Sequence, residues 1–410
     1  MLELLIHRIL ELEAIEMTTD DTLIEQVRDV FHDFAANSVR PEAAAIDSAD
    51  EFPRHLWEQA GALGCFGLRY PEEVGGSGLG LRALAVAIEE IAWGSGSLAT
   101  ACLMQSLMAT HFLHRGGNAQ IASEYLAPAI AGESIGAICM TEPNAGSDLR
   151  AISTRARLND EGNYILNGSK TWVTSALVAD FFTVFARGED SEGLGVFLVL
   201  ADQTGLSVGQ KLDKLGVRGS VTSEVFLDDV VIPASQVLVP LGEGMDALRE
   251  ILVEIRIQTA ALALGLGRAA LEEALTYAGE REQFGRTLTK FQATRLRLAK
   301  VAAELEAARA LVDAVAEAAE LASQNIESTS QSTLAGPLGN MGLTGRACMA
   351  KWKASESALA ASQAAMRVLA SYGYSTEYAV ERILRDSWFT LFGGGTSEML
   401  LLSIARELEM

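Results

Sequence analysis

The stretch Ile138-Cys-Met-Thr-Glu-Pro-Asn-Ala-Gly-Ser-Asp-Leu149 organises the rest of this sequence. The apolar run 135–140 predicts a strand. The polar segment 141–148 after it contains proline, asparagine and glycine, which predict a loop. The small hydroxyls and free backbone N–H groups of such a loop suit a polar ring or a phosphate. The alternative is a surface connection between two strands that binds nothing.

A second stretch, Asn167-Gly-Ser-Lys-Thr-Trp-Val-Thr174, predicts a turn followed by a strand that carries Trp172 and Thr174 on one face. An indole beside a hydroxyl suits a planar ligand, although a tryptophan on a strand is also common in a core. Together the two stretches resemble the flavin-binding β-domain of the acyl-CoA dehydrogenase family. Further signatures of that family follow in order, so the resemblance covers the chain from about residue 20 to its end.

The bulk composition describes a globular protein. A chain of 410 residues is too long for one ordinary core, so two or three packed units are expected. The net charge of −22 argues against a nucleic-acid partner. No apolar run reaches the ~18 residues of a membrane span, and no signal-peptide pattern is present, so we expect a cytoplasmic protein without a membrane span. The four cysteines form no CxxC pair, so we predict no metal site and no redox site built from cysteines.

Hydrophobic periodicity divides the chain into three parts. Helical spacing dominates first, short strand-like runs separated by turns follow, and helical spacing then returns from Met245. The late stripe that steps by three and four residues from Leu298 to Val315 suits long packed helices. We therefore predict an α+β multidomain fold with an N-terminal all-α domain (17–134), a central β-sandwich or barrel (135–240) and a C-terminal four-helix bundle (241–410). Residues 1–16 are mildly amphipathic, and Met17 is an alternative start.

The resemblance implies bound FAD. It also implies a homotetramer, a dimer of dimers, in which Arg281 reaches the FAD of the neighbouring subunit. Without the resemblance, Arg281-Glu-Gln-Phe-Gly-Arg286 also fits a helix C-cap at Gly285. Arg367 departs from the family, which usually has a glutamine there. The residues that match cofactor-binding positions are Met140, Thr141, Ser147, Trp172, Thr174, Arg281, Phe284, Gln292, Arg367, Thr396 and Glu398.

The base that the family uses has no counterpart at its usual places. In the family a carboxylate removes the α-proton of the thioester while the β-hydrogen leaves as hydride to flavin N5. Its two usual positions correspond here to Gly394 and Ile255. Glu254 is the carboxylate next to one of them, and we predict it as the base, although one step along a helix turns a side chain by about 100°. Ser147 matches a residue beside the acyl thioester and Arg256 matches a helix arginine near the pantetheine, so both are predicted to bind the substrate.

The predicted function is FAD-dependent α,β-dehydrogenation of an acyl thioester, carried on coenzyme A or on a carrier protein. The resemblance implies electron-transfer flavoprotein, or oxygen, as the electron acceptor. One alternative is a flavin-dependent monooxygenase on the same fold, for which a missing base would not matter. Another is a non-catalytic subunit that partners a catalytic homologue, although the retained flavin motifs argue against it.

Overall fold

The computed structural model describes residues 19–116, 118–189, 193–324 and 341–408. The amphipathic segment 1–16 lies outside these residues. Within the described ranges, helices occupy both ends of the chain and strands occupy the middle, as predicted. In the same ranges, none of the helices combines the length and the apolarity needed to cross a membrane.

The N-terminal part is a cluster of helices around α4, which is buried along most of its length. The segment 96–116 is not one continuous α-helix. The first part, α5, begins after Ser95, whose hydroxyl caps it by accepting from the N–H of Leu98 at 3.4 Å. A π-helical turn, Met104–Ala109, separates α5 from α6. The helices are α1 Thr19–Phe34, α2 Arg40–Ala49, α3 Arg54–Ala62, α4 Gly80–Gly94, α5 Gly96–Leu103, α6 Thr110–Gly116, α7 Ala119–Ile121 and α8 Ala127–Ala131.

The middle part is one mixed sheet of eight strands in the order β6-β7-β3-β2-β4-β5-β8, with β1 parallel to β4. The sheet curls around its own apolar cluster, so that Tyr164 and Phe197 meet with ring centroids 5.2 Å apart. This mixed sheet is the predicted β-domain. The strands are β1 Gly136–Cys139, β2 Arg155–Leu158, β3 Tyr164–Thr174, β4 Phe181–Gly188, β5 Leu194–Leu200, β6 Leu206–Lys211, β7 Thr222–Ile232 and β8 Val237–Val239.

The turn predicted at Asn167-Gly168 is wrong, because β3 runs through it without a break. A bulge between Leu166 and Gly168 absorbs the irregularity. Glycine is required at this bulge, since a Cβ on Gly168 would lie 2.5 Å from the hydroxyl of Thr154. The Asn167 side chain bonds across the strands to Asp229 at 2.9 Å.

The C-terminal part is a bundle of long helices. The predicted stripe from Leu298 to Val315 is buried along α10, which packs against α9 and α11. A short hairpin, β9 Glu282–Gln283 and β10 Arg286–Thr287, connects α9 to α10. The helices are α9 Gly244–Glu280, α10 Gln292–Gln324, α11 Leu343–Leu369, α12 Val380–Phe389 and α13 Ser397–Glu407.

Two neighbouring residues of α12 connect the three parts. Arg385 forms an ion pair with Asp47 of α2 at 2.6 Å and donates to the carbonyl of Leu215 at 3.0 Å. The carboxylate of Asp386 accepts from the N–H of Val217 at 2.6 Å, and burial raises its pKa to about 6. These contacts fix the β-domain against the helical bundle, and the candidate site lies on residues of both.

Candidate active site

The loop after β1 is held by a buried ion pair. Glu142 lies 2.8 Å from the ammonium of Lys170, and both side chains are almost completely buried. Ser153 and Thr154 each donate to Glu142 through the backbone and the hydroxyl. Burial alone would raise the pKa of Glu142, but these hydrogen bonds and the lysine lower it to about 2. Since Lys170 also donates to the carbonyl of Met140 at 3.3 Å, the pair fixes the start of the loop.

Trp172 lies next to this loop and is exposed to solvent. The N–H of Thr171 donates to the carbonyl of Thr141 at 2.9 Å, which joins β3 to the loop. A second bulge in β3 gives Trp172 a φ of 58°, and 60% of the residue is exposed. A large aromatic residue in a left-handed backbone conformation is strained, and such strain is found mainly at functional sites. Thr174 is half-buried two positions later, and Ser147 is exposed on the loop. This group offers an aromatic face, hydroxyls and backbone groups to a planar polar ligand.

The hairpin between α9 and α10 presents a second group of predicted cofactor residues. Phe284 and Gly285 have φ values of 52° and 75°, so they form the two-residue turn typical of tight hairpins. This corrects the alternative of a helix C-cap at Gly285, because α9 has already ended at Glu280. Phe284 is 92% exposed, and the Arg281 guanidinium lies 5.6 Å from the ring centroid of Tyr372. Gln292, at the start of α10, is exposed as well.

The remaining predicted cofactor residues lie at two helix ends. Arg367 is exposed in the last turn of α11. Ala370, which follows that helix, has a φ of 54°. Thr396 caps α13 by accepting from the N–H of Met399 at 3.3 Å, and Glu398 is exposed in the first turn. A helix N-terminus with a hydroxyl cap is a suitable place for a polar ring or an anion.

The two residues that the resemblance matches to the family's base positions, Ile255 and Gly394, lie next to each other. A Cβ on Gly394 would lie 3.3 Å from Cγ2 of Ile255 and 3.0 Å from Oγ1 of Thr259. Ile255 is buried, and the Thr259 hydroxyl donates to the carbonyl of Ile255 at 2.8 Å. Ile255 and Gly394 are therefore adjacent, and neither residue has a group that accepts a proton. We refer to Ile255, Thr259 and Gly394 as the base position.

Glu254 belongs to a different cluster. Its carboxylate forms an ion pair with Arg69, and burial raises its pKa despite that cation. Arg69 also donates to the hydroxyl of Tyr70 at 3.0 Å, and that hydroxyl lies 2.7 Å from the hydroxyl of Thr110. The helix turns Glu254 toward this cluster, whereas Ile255 faces the base position. A catalytic role for Glu254 stays a prediction. Arg69 was missed because nothing in its local sequence signals a partner so distant along the chain.

Two cations are near the base position: Lys351 bonds to the residue after Gly394, and Arg256 is close enough to Lys351 to affect its pKa. The Nε and Nη1 atoms of Arg256 are buried and have no hydrogen-bond partner among the described residues. Lys351 of α11 is completely buried and donates to the carbonyl of Gly395 at 2.8 Å. Burial, helped by the nearby Arg256 and opposed by the carboxylates of Glu356 and Glu398, lowers the pKa of Lys351 to about 8. Lys351 was not predicted, although a lysine within the apolar pattern of α11 is the signal that could have found it.

Comparisons with known proteins agree with this arrangement. Three family models match: the acyl-CoA dehydrogenase N-terminal domain over residues 23–133, the middle domain over 137–230 and the C-terminal domain over 242–409. Benzylmalonyl-CoA dehydrogenase of Aromatoleum aromaticum is 49% identical, over 93% of this chain and 96% of its own length.

Solved structures give the same result. Butyryl-CoA dehydrogenase of Megasphaera elsdenii superposes with a TM-score of 0.87 at 30% identity, over 97% of this chain and all of its own. An acyl-CoA dehydrogenase of Bacillus anthracis, complexed with FAD, superposes with a TM-score of 0.85 at 29% identity. The match covers 93% of this chain and 66% of that chain. Because the three domain models follow one another along most of the sequence, the chain belongs to the acyl-CoA dehydrogenase family and is an FAD-dependent oxidoreductase of acyl thioesters.

Proposed function

We propose that this FAD-dependent dehydrogenase acts on a coenzyme A thioester that carries a carboxylate on its α-carbon and an aromatic group beyond it. The observation that carries the proposal is the base position, where Ile255 and Gly394 replace the carboxylate beside two buried cations. A substrate with its own carboxylate fits such a place better than an uncharged acyl chain. The 49% identity to a benzylmalonyl-CoA dehydrogenase supports the same substrate class and favours coenzyme A over a carrier protein.

Bound FAD supplies the acceptor for two electrons and the β-hydrogen of the substrate. We assign its flavin end to Thr141, Trp172 and Thr174, which is supported by the exposed, left-handed Trp172. Thr396 and the first turn of α13 offer further polar contacts. Ser147 contacts the thioester in this assignment. Electron-transfer flavoprotein is the proposed acceptor of the electrons, and oxygen is the alternative.

Assembly supplies the rest of the cofactor site. We propose a cytoplasmic homotetramer in which Arg281, Phe284 and Gln292 of one subunit contact the FAD of its neighbour. The proposal is supported by the hairpin itself, since Phe284 is 92% exposed and holds a backbone conformation that large residues avoid. An exposed aromatic residue at a strained turn is costly to a monomer and useful at an interface.

Arg281→Ala is expected to lower both FAD content and thermal stability, because ligand binding and assembly stabilise the folded state together. Arg286→Ala is the matched control: it removes an exposed arginine of the same hairpin whose guanidinium lies 4.3 Å from the Phe291 ring centroid. Flavin absorbance and a melting curve at fixed protein concentration measure the two effects. Full flavin occupancy in a monomer by light scattering would contradict the assignment.

The substrate class is tested by anaerobic flavin bleaching with benzylmalonyl-CoA, butyryl-CoA, isovaleryl-CoA and an acyl-carrier protein. We expect benzylmalonyl-CoA to reduce the flavin at least about 10-fold faster than the others, which corresponds to roughly 1.4 kcal/mol in the barrier. Equal or faster bleaching by butyryl-CoA would refute the substrate class. Rapid oxygen consumption with a hydroxylated product would favour the monooxygenase alternative.

A further inference from the structure

The loop between α12 and α13 carries Gly394 and has few side chains that could fix its shape. Residues 393–395 are three successive glycines. Gly394 and Gly395 have φ values of 72° and 111°, in the region that favours glycine. Glycine loses more conformational freedom on folding than any other residue. Contacts from a neighbouring element therefore help to decide which conformation this loop holds.

One face of α11 supplies such contacts. The hydroxyl of Ser355 donates to the carbonyl of Thr390 at 2.9 Å, before the glycines. The ammonium of Lys351, four residues earlier and so on the same face of the helix, donates to the carbonyl of Gly395 at 2.8 Å. Since Gly395 follows Gly394 directly, the contact from Lys351 is the one next to the base position along the chain.

Lys351 is a costly donor for this hydrogen bond. Its side chain is completely buried, and it forms no ion pair with a residue in the ranges that the structure describes. The carboxylates of Glu356 and Glu398 are near enough to affect its pKa, but Glu356 accepts from the hydroxyl of Ser397 at 2.9 Å instead. A buried ammonium without an ion pair loses more in hydration than one hydrogen bond to a carbonyl returns. Lys351 therefore lowers the stability of the fold, and local costs of this kind are found mainly at functional sites.

We propose that Lys351 is a positioning residue: its ammonium holds the carbonyl of Gly395 and thereby fixes Gly394 against Ile255, at a cost in folding stability. This inference rests on the proposed function, which places the reacting part of the thioester at the base position. In this role Lys351 acts through the loop and touches no reacting atom. An ammonium suits the role because a charge-assisted hydrogen bond is shorter and stronger than a neutral one.

The test compares Lys351→Met with Lys353→Met, a control on the same helix that removes a partly exposed ion pair with Glu304. We expect Lys351→Met to lower the rate of flavin reduction at saturating benzylmalonyl-CoA by at least about 10-fold, because small displacements of reacting groups slow a reaction strongly. Its melting temperature should stay the same or rise, since methionine fills a similar space without a buried charge. Lys353→Met should keep the wild-type rate.

Binding gives a readout that does not depend on turnover. 3-Phenylpropanoyl-CoA lacks the α-carboxylate, and its affinity is measured anaerobically from the change in flavin absorbance. We expect the same affinity in Lys351→Met as in the wild type, because an effect confined to the reacting groups lowers the rate and leaves ground-state binding unchanged. A lower melting temperature together with weaker binding would identify Lys351 as a structural residue and overturn the proposed role.

The pH dependence of the wild-type enzyme tests the same role without a substitution. Burial and Arg256, opposed by Glu356, Cys348 and Glu398, lower the pKa of Lys351 from 10.5 to about 8. We expect the saturating rate of flavin reduction to fall as the pH rises through about 8, because a neutral amine forms a weaker hydrogen bond to the loop than an ammonium does. A rate that does not fall there, or that falls equally in Lys351→Met, would overturn the proposed role.

Stability should depend on pH in the opposite sense. Below about pH 8 the folded protein holds Lys351 as a buried ammonium, which destabilises it relative to the unfolded chain. Between about pH 8 and 10.5 the unfolded chain binds more protons, so this destabilisation is removed as the pH rises. The difference in melting temperature between Lys351→Met and the wild type should therefore shrink over this range. A difference that grows would overturn the proposed role.

The outcomes distinguish this role from the proposed function. Failure of benzylmalonyl-CoA to reduce the wild-type flavin would overturn the substrate class alone. Lys351→Met is then compared with the wild type using the thioester that does reduce the flavin. Equally fast reduction by benzylmalonyl-CoA in the wild type and in Lys351→Met would keep the substrate class and overturn the positioning role.

Discussion

Ile255→Glu is expected to raise flavin reduction by 3-phenylpropanoyl-CoA about 10²-fold or more, because it restores a carboxylate at the base position. The same change is expected to slow reduction by benzylmalonyl-CoA, since the introduced carboxylate and the substrate carboxylate would then repel each other at the base position. The substitution therefore shifts the preference from benzylmalonyl-CoA toward 3-phenylpropanoyl-CoA and does not raise activity with both. Rates are measured by anaerobic stopped-flow bleaching of the flavin with each thioester.

Ile255→Gln is the matched control, because it has nearly the same shape as glutamate and cannot take the proton. It should show no gain with 3-phenylpropanoyl-CoA. Gly394→Glu is a poorer choice: Gly394 has a φ of 72°, and a Cβ there would contact Thr259 at 3.0 Å. If Ile255→Glu folds, binds FAD and still fails to oxidise the uncharged thioester, the base position does not lie against the α-carbon.

The sequence predicts the parts of this fold that depend on local pattern. The stripe along α10 is visible because an amphipathic helix repeats its apolar residues every three or four positions. The order of helices, strands and helices follows from the same reasoning. The turn predicted at Asn167-Gly168 failed because a glycine next to an asparagine signals a turn and a bulge equally well.

The site depends on contacts that local patterns do not encode. Ile255 and Gly394 are far apart in the sequence, and only the packed bundle brings them to one point. Glu254 and Arg69 are also far apart in the sequence, so their ion pair could not be foreseen. Glu254 was predicted as the base only because it is next to Ile255 in the sequence. The resemblance predicted which two residues match the base positions, and the fold shows that these two residues are adjacent. The unpaired guanidinium of Arg256 could be found only from coordinates.

Lys170→Met is expected to destabilise the protein by about 3–5 kcal/mol, because it leaves the buried carboxylate of Glu142 without its cation. The effect reaches the cofactor site, since the same lysine binds the carbonyl of Met140 at 3.3 Å at the start of the flavin loop. The free energy of unfolding from urea titration measures it, with FAD content determined in parallel. Lys300→Met, at an exposed position on α10, should change stability by less than about 0.5 kcal/mol.

The double variant Lys170→Met/Glu142→Gln separates loss of the ion pair from loss of packing. It removes both charges, and the amide oxygen can still accept from the N–H and hydroxyl of either Ser153 or Thr154, while the amide NH2 can donate to the hydroxyl of the other but leaves its N–H unpaired. We therefore expect it to recover part of the lost stability. The pH dependence should change as well. Because the pKa of Glu142 is about 2 in the folded state and 4.5 ordinarily, its contribution is fully present above pH 4.5. It is lost as the pH falls toward 2. The double variant should lack this part of the dependence of stability on pH. An unchanged pH dependence would show that the ion pair does not stabilise the loop electrostatically. A double variant less stable than Lys170→Met would show the same.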